Sequence, residues 1–174
     1  RTLVEAEHVR DLLSAGLSQG AARAALGSPA TTFLEHLVAD AGLAQDGGRI
    51  RLPEAQEGLG PAEAGMVALE TRLTETPFRA PEADDLVALG LGGRELAAGE
   101  RRGRVLRLRD GVVVLPTAPA LAMRTLARLP QPFTTSQARQ ALGTTRRVAV
   151  PLLEHLDSRG WTRRIGASHR EVIR

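Results

Sequence analysis

The chain has 174 residues, a formal net charge of +3, no cysteine and only four aromatic residues, Phe33, Phe78, Phe133 and Trp161. Without cysteine there are no disulfides and no thiolate metal sites, and no apolar run approaches the roughly 20 residues of a membrane-spanning helix. What remains is a globular protein with a core of Leu, Val and Ala, with room for one ordinary domain or two to three very small ones.

In chain order, the first helix is expected over residues 3–15, with Val4, Val9, Leu12 and Leu13 apolar and Gly16 as its stop. A short helix over 18–26 follows, with Ser18 as N-cap, Gly27 at its end and Pro29 where a first helical turn tolerates it. The next helix is expected to bury Phe33, Leu34, Leu37 and Val38 and to stop at Gly42. Residues 43–45 and 49–52 read as two strands joined at Asp46-Gly47-Gly48.

The pattern restarts at Gly60-Pro61, with a helix burying Met66, Val67, Leu69 and Leu73, a short helix over 82–89 and another from Gly92. Residues 105–109 and 112–115 give a hairpin around Asp110-Gly111. It restarts again with helices over 118–129, 135–142 and 144–159, a stop at Gly160, and a hairpin of 161–165 and 170–173 turning at Gly166-Ala167-Ser168. Pro151 falls inside the last helix and should bend it.

Helix, helix-turn-helix and β-hairpin is the winged-helix order. The expected fold class is therefore α+β, mostly helical, with tandem winged-helix units at 1–57, 58–117 and 118–174. One irregular α+β domain is the alternative. Arg1 is not an initiator, so the sequence reads as a C-terminal fragment.

Charge is unevenly spread. Residues 1–60 hold 5 Arg against 8 acids, 61–117 hold 8 against 9, and 118–174 hold 10 against 3, giving −3, −1 and +7. A polyanion would favour the last third, and the first two units should be a scaffold that binds RNA poorly. All 23 basic residues are Arg, which, beside the abundant Ala and Gly, looks like the codon bias of a high-GC genome.

Within the last third, Thr144 or Thr145 is placed to cap the following helix. The free amides and positive dipole end at such a start suit an anion. Arg146 and Arg147 lie in that first turn, Arg139 on the preceding helix, Arg163 and Arg164 on one wing strand and Arg170 on the other. Strand alternation puts Arg163 and Arg164 on opposite faces, so one contact and one surface residue are expected. These eight residues are the candidate RNA contacts, each with solvation as the plain alternative. Trp161 reads as a core plug in preference to a base-stacking platform, and His169 as a solvated turn residue. No nucleophile elbow, phosphate-binding loop or paired metal ligands occur, and Gly90-Leu91-Gly92-Gly93 lacks the Lys-Ser/Thr ending, so no enzyme is expected here.

The run from Phe133-Thr134-Thr135 through Leu142-Gly143-Thr144-Thr145-Arg146-Arg147, Pro151-Leu152-Leu153-Glu154 and Thr162-Arg163-Arg164 resembles the last winged helix of the bacterial selenocysteine-specific elongation factors, the SelB family. The close match covers about 35 residues. Residues 26–43 and 48–53 resemble an earlier unit of that family more loosely, and the middle unit resembles it only in layout.

The resemblance implies an arm that holds an mRNA hairpin, the selenocysteine insertion element, while the full-length factor delivers selenocysteyl-tRNA to the ribosome at an in-frame UGA. GTP and magnesium are implied only for a GTPase domain that this sequence lacks. A monomer working in the cytoplasm is expected. A DNA-binding winged-helix regulator is the second reading, although residues 148–156 are mostly apolar for a helix inserted in a groove. A protein-interaction or spacer array is the third, and it leaves the +7 unexplained.

Overall fold

The computed structural model describes residues 1–10, 14, 16–27, 31–53, 59–166 and 168–173. Leu12, Leu13, Ala15, Pro29 and Ala167, which carried sequence expectations, lie outside the described residues. The chain divides into two compact units, Arg1–Glu63 and Ala64–Arg174.

In the first unit, α1 (Thr2–Arg10) buries Val4, while Val9, expected on the apolar face, is 80% exposed. Strand β1 (Leu17–Ser18) leads into α2 (Gln19–Ala25), and the Ser18 side chain accepts a bond from the Ala21 amide at 3.1 Å, the expected cap. Helix α3 (Thr31–Asp40) buries Leu34 and Val38 but leaves Phe33 exposed, one position off the core stripe. Strands β2 (Ala44–Asp46) and β3 (Arg49–Arg51) pair antiparallel around Gly47-Gly48, both at positive φ, as a two-residue hairpin turn requires. β1 joins the free edge of β3, giving the order β1-β3-β2. Val4, Ala22, Leu34, Val38 and Ile50 form the core.

The second unit holds two modules. Helix α4 (Glu63–Glu75), which starts at the unit boundary just after a 3₁₀ turn at Gly60–Ala62 in the first unit, buries Met66, Leu69 and Leu73 and exposes Val67, contrary to expectation. Helices α5 (Ala83–Ala88) and α6 (Gly93–Arg101) follow, the first opened by a reciprocal capping pair between Glu82 and Asp85. Strands β4 (Leu106–Arg107) and β5 (Val113–Val114) pair across a turn at Arg109–Gly111, with Asp110 and Gly111 both at positive φ.

The third module runs α7 (Ala118–Leu126), β6 (Phe133–Thr134), α8 (Thr135–Ala141), α9 (Arg146–Ser158), β7 (Thr162–Ile165) and β8 (His169–Val172). Its sheet order, β6-β8-β7, repeats that of the first unit. Thr134 caps α8 with Gln137 answering, and Gln131 ties α7 to the wing by donating to the Leu126 and Leu129 carbonyls and accepting from the Val172 amide. Pro151 is buried within α9, which runs on through it.

The two modules share their interior. Ala80, Val112 and Val114 of the middle module cluster with Ala118 and Val148 of the third, and Phe78 and Leu108 pack against both this cluster and the Phe133–Leu152–Leu156 core. The structure thus has the fold class expected from the sequence, mostly helical α+β with winged-helix modules.

Candidate nucleic-acid interface

Helix α9 is built to be held on two sides. Val148, Ala149, Leu152, Leu153 and Leu156 enter the core. The Thr144 hydroxyl donates to the Phe78 carbonyl at 2.6 Å, and Arg147 Nη2 donates to the Ala80 and Pro81 carbonyls at 2.9 and 3.1 Å and lies 3.0 Å from Glu82 Oε1. Thr144 and Arg147, both expected at the ligand, are therefore committed to the middle module's 78–82 segment. Arg147 Nε is buried without a partner.

Thr145 takes the N-cap position with extended backbone (φ −93°, ψ 163°), yet its side chain makes no capping bond, a correction to the expected side-chain cap. The first helical amides stay without intrahelical acceptors, as at any helix start.

Arg170 is 3% exposed and also committed: Nε donates to Asp157 Oδ2 at 2.9 Å and Nη1 to Thr135 Oγ1 at 3.1 Å. Asp157 accepts from the Thr162 hydroxyl at 2.5 Å as well, so one carboxylate pins both wing strands to α9. Arg163 is exposed but paired with Glu171 across the hairpin. Trp161, expected in the core, is 41% exposed, and the neighbouring Thr162, at the start of β7, is the residue that is buried.

Arg146 and Arg164 are exposed and Arg139 half-buried, and none of the three has an acidic partner among the described residues. These, with exposed Thr145, are the candidates still open to a ligand. Beside them the structure adds a feature the sequence reading missed. A groove of about 350 Å³ between the middle hairpin and α9 is lined by Arg107, Arg109, Pro151, Glu154, His155 and Arg164, among others. Burial first, then the nearby Arg159 charge, holds the His155 pKa below its usual 6.5. The signal for this groove was the Arg107-Leu108-Arg109 alternation, hidden by the middle unit's net charge of −1. Among the described residues no group of three or more His, Asp or Glu could hold a metal ion.

Residues 124–170 match the family model described as elongation factor SelB, winged helix. This segment is similar to the SelB winged helix. It contains α8, α9, β7 and the candidate arginines 139, 146, 147, 163, 164 and 170, so the SelB match falls on the part of the chain with the greatest positive charge. Among solved structures, the chain is similar to the crystal structure of bacterial selenocysteine-specific elongation factor EF-Sec, with a TM-score of 0.58 and 19% identity. That likeness covers 99% of this chain and 28% of the other, and it shows the fold. No curated protein sequence matches the chain. Among the described residues no helix is long and apolar enough to cross a membrane.

Proposed function

We propose that this chain is the C-terminal arm of a selenocysteine-specific elongation factor, and that its third module holds an mRNA hairpin to direct selenocysteine insertion at UGA. One observation carries the reading: the SelB match at 124–170 coincides with the module in which Arg139, Arg146 and Arg164 have no acidic partner among the described residues. The arm itself is non-catalytic. GTP, magnesium and selenocysteyl-tRNA would be handled by other domains of the full-length factor, which works on the ribosome in the cytoplasm.

Helix α9 argues against the DNA-regulator reading. One face is in the core and Arg147 is held by the middle module, so little polar surface is left to enter a major groove. A helix start and a wing suit contacts to backbone and to bases freed in a loop.

Fluorescence anisotropy with a labelled RNA stem-loop, the blunt RNA duplex and a DNA duplex of the same stem tests this. The stem-loop should bind tightest, and its affinity should fall steeply with salt as counterions are released. Preference for DNA, or affinity independent of salt, would overturn it.

A further inference from the structure

We infer that the groove between the middle hairpin and α9 is a second RNA-binding track, in which Arg107, Arg109 and Arg164 take the phosphodiester backbone of a strand. The inference rests on the RNA-arm reading and extends it to a module whose overall charge gave no hint of binding.

Its first support is convergence. Arg107 comes from β4, Arg109 from the turn after it and Arg164 from β7, so two modules bring three guanidinium groups to one concavity. Like charges repel at such a place unless an anion lies between them. The second support is the state of the two acids on the same wall. Asp157 is occupied by Thr162 and Arg170, and Glu154 faces Arg109 at 3.7 Å. Arg107 and Arg164 have no acidic partner among the described residues, so positive charge is left in the groove.

The third support is the kind of anion the groove fits. A small anion held tightly needs buried donors, and these arginines are exposed. Exposed guanidinium groups bind well when a polyanion engages several together and releases its counterions. His155, on the same wall with its pKa lowered first by burial and then by Arg159, adds a ring nitrogen that can hydrogen-bond sugar or base.

The test uses the full chain and a labelled RNA stem-loop carrying a single-stranded oligouridylate extension. Arg107→Ala with Arg164→Ala should weaken binding about tenfold and lower the salt slope by about 1–2, as expected for one or two lost phosphate contacts. Arg124→Ala with Arg128→Ala, which removes the same charge from exposed positions outside both sites, should leave affinity unchanged. Melting temperatures of both pairs establish that the variants fold. Equal weakening by the two pairs would reduce the effect to net charge and overturn the groove. If Arg146→Ala weakens binding while the groove pair does not, the groove falls and the RNA-arm reading stands. If the wild-type chain binds none of the RNAs, the RNA-arm reading falls and the groove with it.

Discussion

The Arg170 guanidinium, almost wholly buried on β8, donates to the Asp157 carboxylate near the end of α9 at 2.9 Å. The wing is thereby fixed to the helix from inside. Removing one partner strands the other, so Arg170→Ala should destabilise the chain by about 3 kcal/mol. Urea unfolding checks this, and a loss below about 0.5 kcal/mol would mean that water replaces the pair without penalty.

Adjacent arginines should separate cleanly. Arg146 is exposed and has no acidic partner among the described residues, so Arg146→Ala should weaken stem-loop binding about tenfold, or about 1.4 kcal/mol, and leave the Tm nearly unchanged. Arg147→Ala deprives the Ala80 and Pro81 carbonyls of their donor and should cost about 1–3 kcal/mol of stability. Measuring both quantities for each single variant decides the assignment; a stable Arg147 variant that fails to bind RNA would refute it.

Gly65 lies on α4 where a Cβ would overlap the Leu89 carbonyl oxygen, a backbone atom that cannot rotate away. Gly65→Ala should therefore lower stability by about 1–3 kcal/mol despite the better helix propensity of alanine. Thermal unfolding of the variant reads this directly, and a raised Tm would contradict the close approach.

Because the folded pKa of His155 lies below 6.5, the unfolded chain binds more protons than the folded one between those two values. Stability should fall as pH drops through 6.5 and level off below the lowered folded value. Replacing His155 by Gln should flatten that slope, measured by urea unfolding between about pH 7.5 and about pH 5. Asp85 acts lower on the scale: the Glu82 amide, then Arg72, depress its pKa from 3.8, so its contribution is lost only as pH falls below that value.

Helix order and stops were legible because they are local. Ser18 caps as its type predicts, and Thr134 with Gln137 is a capping signature visible three residues apart. Strands β1 and β6 were not legible. Each has two residues and exists through pairing with β3 or β8, far away in sequence. Apolar spacing marks a helix face only to within a residue, and Phe33 and Val67 sit beside the core that such spacing predicts for them. Arginine roles were least legible. In sequence Arg146 and Arg147 are the same residue twice, and the acceptors that distinguish them lie 66 and 67 positions away. Summing charge over whole units also hid Arg107 and Arg109, whose position on one hairpin matters more than the total around them.

Phe78 and Leu108 belong to one module by chain order and help fill the interior of the next. Residues 64–174 should accordingly melt as one cooperative body. Trp161, the lone tryptophan, reports on the third module, while the far-ultraviolet circular dichroism of 64–174 sums the helices of both. For that fragment the two signals should trace a single coincident transition. A chain ended near residue 117 would lose half of a common core, so the boundary for dissecting this protein lies at Glu63 and Ala64.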